Sequence, residues 1–139
     1  GEEVAAARCL GADMVSMGTR FLATTECPVN PDYKQMIIDS SAQDIVYTDA
    51  ISGVPASFLK QSVESAGFDL NNLPKPDGFD IGTETSLDEH TKDGKVTAKP
   101  WKDIWSAGHG VSAISEQLSI AQLIDQLASG YQVAIDRLA

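Results

Sequence analysis

Gly11-Ala12-Asp13-Met14-Val15-Ser16-Met17-Gly18-Thr19-Arg20-Phe21-Leu22 reads as a helix end, a short buried strand and a Gly-Thr turn at the strand's carboxyl end. Upstream, residues 2–10 are Ala-rich and favour helix, with Val4, Ala7 and Leu10 on one face. Gly11 is a natural helix stop. The apolar run at 13–17 has the look of a parallel strand covered on both faces. Helix, glycine stop and strand in that order make an αβ unit rather than a hairpin.

The turn after that strand suits an anion. A phosphate needs several N–H donors converging on one point. Glycine lets the backbone approach closely, and a following threonine adds a hydroxyl. A helix beginning at Thr19 would add free N–H groups and its dipole. In α/β barrels a phosphate is often held by such a turn at the carboxyl end of a strand. By itself, a Gly-Thr pair after a strand is more often a plain turn. Arg20 reads either as a helper to a phosphate or as an ordinary exposed or ion-paired residue.

Working outward, residues 20–25 are expected to leave the turn as a helical turn, and 26–31, with two prolines, as a loop. Residues 32–40 predict a short helix, with Tyr33, Met36 and Ile37 at helical spacing. Residues 44–51 are rich in β-formers and predict a strand, broken at Gly53-Val54-Pro55. Residues 56–66 predict a second helix ending at Gly67. From 71 to 99 prolines, glycines and charges replace periodicity, which predicts a long loop or insertion. Trp101 and Trp105 would share a face if 100–106 were helical. Ala107-Gly108-His109-Gly110 predicts a tight turn.

The clearest element is 119–138. Ser119 and Gln122 form a capping-box pattern. Ile120, Leu123, Ile124, Leu127, Tyr131, Ala134, Ile135 and Leu138 make a continuous apolar stripe, interrupted only by the helix-weakening Gly130.

The chain has 139 residues, enough for one core but short of the about 250 of a complete α/β barrel. Its stripe and its single buried strand demand more neighbours than it supplies, so it is expected to be a portion of a larger barrel. A net charge of −10 argues against nucleic acid and anionic membrane surfaces as partners. No apolar run approaches the roughly 18 residues of a membrane span. Cys9 and Cys27 lack metal-ligand or redox spacing and read as reduced thiols of a cytoplasmic protein; no metal site is expected. A homo-oligomer is compatible with the sequence.

The stretch from Gly11 to Thr24 resembles the nitronate monooxygenase family, formerly the 2-nitropropane dioxygenases. Further blocks match in order: Cys27-Pro28-Val29-Asn30-Pro31 with Tyr33-Lys34, then Ser52-Gly53-Val54-Pro55-Ala56, then Trp101 through Val111. The resemblance covers nearly the whole chain, loosely between 71 and 99. It implies an α/β fold, the C-terminal fragment of a TIM-type (β/α)8 barrel with a mostly helical inserted subdomain. Residues 1–25 would be the last βα portion of the FMN-binding barrel, 26–105 the inserted subdomain, and 106–139 a return turn and C-terminal helix. It also implies FMN as cofactor, with Ser16, Met17, Gly18 and Thr19 as one half of the phosphate cradle. Gly18 and Thr19 would hold the phosphate most directly. The other half, a Gly-Gly pair, is expected to precede Gly1.

The family reaction is oxidation of an alkyl nitronate by FMN and O2 to a carbonyl compound and nitrite. The chain departs from the family pattern at Ser16, where Gln is usual, at Asn30, where His is common, and at His109, where Gln is common. The family's catalytic histidine is expected upstream, and neither His90 nor His109 matches its place. Asp44, Asp49 and Asp103 have no spacing that singles out a general base. No catalytic residue is therefore assigned, and the chain alone is expected to be inactive. Two other readings stay open. One is a related flavin barrel, an enoyl-acyl-carrier-protein reductase. The other is a non-enzymatic acidic interaction domain in which Gly18-Thr19 is only a turn.

Overall fold

The computed structural model describes residues 1–73 and 102–139. The elements run α1 (Glu2–Cys9), α2 (Thr19–Leu22), α3 (Pro31–Asp39), β1 (Ile45–Thr48), β2 (Ala56–Leu59), α4 (Lys60–Ser65) and α5 (Ile120–Leu138), with 3-10 turns at Ala42–Asp44 and His109–Ala113. The class is α/β, as expected, and the helices near 2–10, 20–25, 32–40 and 119–138 form where the sequence places them. Each has a local cause. Asn30 caps α3 by accepting the Asp32 N–H at 2.9 Å, with Pro31 in the first turn. Ser119 and Gln122 close the expected capping box on α5.

The strand expected at 13–17 does not form. The segment is irregular, Met14 is 89% exposed, and Val15 and Ser16 are exposed too. A parallel strand needs backbone partners alongside it, and no described strand lies beside this one. Apolar content alone does not make the ladder.

The expected helix at 56–66 is likewise corrected. Its first four residues are β2, paired antiparallel to β1 with Val46 opposite Phe58 and Tyr47 opposite Ser57. Only the remainder is helical, as α4, which Gly67 ends at φ 85°. Burial decides this, since Phe58 and Leu59 are fully buried from β2. The same strand recruits the Trp105 region. Leu59 N–H donates to the Trp105 carbonyl at 2.8 Å, and Phe58 and Ser106 form an antiparallel bridge. Residues 102–106 are therefore not helical. Trp101, His90 and the expected insertion from 74 onward lie outside the described residues.

Two apolar clusters form among the described residues. One gathers Ala23, Tyr33, Ile37, Ile45, Leu59, Ala107, Val111 and Ile114. The other gathers Ile51, Phe58, Val63 and Ile104. Neighbouring residues of β2 point to opposite faces and feed one cluster each.

The α5 stripe is only partly covered. Leu123 is buried, and Leu127, Tyr131, Ala134 and Ile135 are half-buried on the helix that packs against α1. Ile124 and Leu138 are exposed. Gly130 has a packing reason, because a Cβ there would stand 3.3 Å from Gly1 Cα. Arg8 donates to the Tyr131 hydroxyl at 2.9 Å across the same pair. Among the described residues no helix is long and apolar enough to cross a membrane.

Candidate functional site

Gly18 is the residue from which α2 starts, at φ −98° and ψ −65°. That conformation is open to any residue, so conformational freedom is not what this glycine supplies. It supplies a missing side chain, since a Cβ there would meet nothing within 4 Å. The Gly18 carbonyl accepts from Phe21 N–H at 3.0 Å and Leu22 N–H at 3.2 Å. The amides of Met17, Gly18, Thr19 and Arg20 have no hydrogen-bond partner among the described residues. Ser16 and Gly18 are exposed, Met17 and Thr19 half-buried. Free first-turn amides beside an open, side-chain-free surface suit an anion, and these residues fit a phosphate.

Thr19 reaches away from its own helix. Its Oγ1 accepts the Gly108 N–H at 2.9 Å. Gly108 precedes the 3-10 turn His109–Ala113, and its carbonyl accepts Val111 N–H at 3.0 Å. His109, the residue after Gly108, is exposed on this turn. Arg20 is fixed elsewhere. Its Nη1 donates to the Glu116 carbonyl at 2.9 Å, burial pulls its pKa down, and the Glu116 carboxylate opposes that. Ser16 and Met17 lead into the turn without a hydrogen bond of their own to the Gly108 segment.

Behind the turn stands a polar frame. Thr24 and Lys34 are buried, and Lys34 Nζ donates to the Thr24 carbonyl at 2.6 Å. Thr25 N–H donates to the Leu118 carbonyl at 2.9 Å. The Glu26 carboxylate accepts the Thr25 hydroxyl at 2.8 Å and the Ile120 N–H at 2.9 Å, which together hold its pKa below the usual range. Tyr33 donates its hydroxyl to the Ser106 carbonyl and stacks on Trp105 with ring centroids 5.0 Å apart.

The structural role of Lys34 was not evident from sequence. Its signal was present, because Lys34 stands three residues before buried Ile37 on α3 and shares part of its inward face. Of the carboxylates considered as bases, Asp44 caps its own 3-10 turn, accepting from Ser41 N–H at 2.8 Å and the Ser41 hydroxyl at 2.7 Å.

A family model described as nitronate monooxygenase matches residues 1–130. The chain belongs to the nitronate monooxygenase family. It is 28% identical over 144 residues to a nitronate monooxygenase of Paraburkholderia phytofirmans, covering 99% of this chain and 37% of that protein. A probable nitronate monooxygenase of Bacillus subtilis is 29% identical over 126 residues, covering 89% of this chain and 35% of that protein.

Among solved structures, FabK from Thermotoga maritima superposes with a TM-score of 0.68 at 27% identity, covering 99% of this chain and 43% of that one. A nitroalkane oxidase from Streptomyces ansochromogenes gives a TM-score of 0.68 at 23% identity, covering 99% of this chain and 38% of that one. The second likeness concerns the fold alone. This chain thus spans less than half the length of each of these relatives.

Proposed function

We propose that this chain contributes the phosphate-holding turn of an FMN-dependent enzyme that oxidises alkyl nitronates with O2 to a carbonyl compound and nitrite. The observation that carries the reading is the set of unpartnered amides from Met17 to Arg20 around a Gly18 with open space in place of a side chain. Its setting is a chain of the nitronate monooxygenase family. In this reading residues 1–25 belong to a TIM-type barrel, 26–105 to an inserted subdomain, and 106–139 return to the barrel, in a cytoplasmic protein.

FMN, when bound, supplies the redox chemistry; the protein binds, orients and excludes. The Gly18 and Thr19 amides take the terminal phosphate, with Ser16 and Met17 bringing the backbone to it. The free N–H groups at the start of α2 favour the phosphate dianion. The Thr19 hydroxyl accepts from Gly108 and keeps its own proton available as a further donor. These local donors offset the chain's net charge of −10, which would otherwise repel both an anionic cofactor and an anionic nitronate.

The experiment is a comparison on the purified full-length protein. Visible flavin absorbance together with nitrite release from a nitronate is the expected result. NAD(P)H oxidation with an enoyl thioester, and no nitrite, would move the assignment to the enoyl-acyl-carrier-protein reductase reading. A colourless protein that takes up no FMN would leave Gly18-Thr19 a plain turn.

A further inference from the structure

We propose that Thr19 is a positioning residue whose side chain ties the phosphate turn to the segment carrying His109. Occupancy at Gly18 and the placement of His109 are then coupled. The inference rests on the phosphate reading above.

Thr19 and Arg20 are consecutive, and they fasten α2 to the two ends of one segment. Thr19 Oγ1 accepts from Gly108 N–H at 2.9 Å, and Arg20 Nη1 donates to the Glu116 carbonyl at 2.9 Å. Between these points Val111 and Ile114 are buried in the first cluster and hold the middle of the segment. Upstream, Ala107 N–H donates to the Ser57 carbonyl at 3.3 Å. What remains to be fixed is the entry to the 3-10 turn, where Gly108 and His109 are both exposed. Gly108 has no side chain to pack there, so besides the turn's own bond from Val111 N–H to the Gly108 carbonyl, the Thr19 contact is the fastening nearest His109.

The chemistry gives this contact a direction. A threonine hydroxyl has one proton and two acceptor lone pairs. Here one lone pair takes the Gly108 N–H, and the proton has no acceptor among the described residues. Once the proton is donated to an anion, the oxygen becomes a better acceptor and the Gly108 bond tightens, because hydrogen bonds in a chain polarise one another. His109 lies one residue beyond that bond.

The test compares the wild type with Thr19→Ser and Thr19→Val, read by amide resonances of the full-length protein with and without FMN. Without FMN, the Gly108 amide should exchange about fivefold faster in Thr19→Val, as expected for loss of one ordinary hydrogen bond, and at the wild-type rate in Thr19→Ser. With FMN, the wild type and Thr19→Ser should show shifts both at Gly18 and at His109 and Gly110. In Thr19→Val the His109 and Gly110 shifts should be lost. Unchanged Gly108 exchange in Thr19→Val, or His109 shifts that persist in it, would overturn the coupling while leaving the phosphate turn intact. Gly18 amides that ignore FMN in the wild type would overturn the phosphate reading and the coupling with it. Rescue by serine separates a hydrogen-bond role from simple packing.

Discussion

Tyr33 lies flat against Trp105, the two rings 14° from parallel, while its hydroxyl donates to the carbonyl of Ser106, the next residue along. One side chain therefore grips two consecutive residues of the same segment. Burial raises the Tyr33 pKa from 10.0 to about 12, against the lowering effect of its hydrogen bond to Ser106. A raised value favours the neutral phenol in the folded state. Its contribution to stability is complete below pH 10.0 and is lost as pH rises toward about 12. Tyr33→Phe keeps the stack but removes the titrating group. The variant should be modestly less stable at neutral pH, and its stability should fall less steeply between those two pH values. Alkaline unfolding followed by circular dichroism checks this, and parallel profiles for the two proteins would contradict it.

Gly18→Val should separate folding from flavin retention. The added side chain enters open space, and the backbone at φ −98° tolerates it. Thermal unfolding of the full-length variant should match that of the flavin-free wild type while flavin co-purification is lost. Full flavin occupancy would count against Gly18 as the phosphate contact.

Ser62 joins β2 to the Trp105 segment from inside the core. Its hydroxyl donates to the Leu59 carbonyl at 2.8 Å and accepts the Trp105 N–H at 2.9 Å, and the residue is buried. Ser62→Ala leaves that N–H buried without an acceptor, which should cost about 1–3 kcal/mol. Urea denaturation reads the loss directly, and a change near zero would mean that another acceptor replaces the hydroxyl.

Glu26 makes the start of α5 sensitive to acid. The Thr25 hydroxyl first, and the Ile120 N–H second, lower its pKa below 4.5. A lowered carboxylate contributes stability that is present above 4.5 and is lost as pH falls through the depressed value. Glu26→Gln should flatten the acid limb of the stability profile and speed exchange of the Ile120 amide at neutral pH. An unchanged acid limb would assign the acid sensitivity to other carboxylates.

The legible parts of this fold are those decided locally. The start of α5 is announced by Ser119 and Gln122, and α3 by Asn30, Pro31 and the spacing of Tyr33 and Ile37. What misleads is whatever depends on distant partners. Residues 13–17 have the composition of a buried strand, yet a ladder requires a neighbour that local sequence cannot display. Residues 56–59 look helical until β1 and Trp105 provide pairing for them. At the candidate site, the family resemblance singles out Gly18 and Thr19, because a Gly-Thr pair by itself is more often a plain turn. The bond from Gly108 spans 89 positions and leaves no trace in either stretch alone.

Phe58 and Leu59 are adjacent on one strand and anchor different apolar clusters. Among the described residues the two clusters are therefore coupled, because withdrawing that dipeptide removes a fully buried side chain from each at once. Heat or denaturant should accordingly dismantle the 45–66 region in a single cooperative step, with destabilising changes on either side lowering one common midpoint.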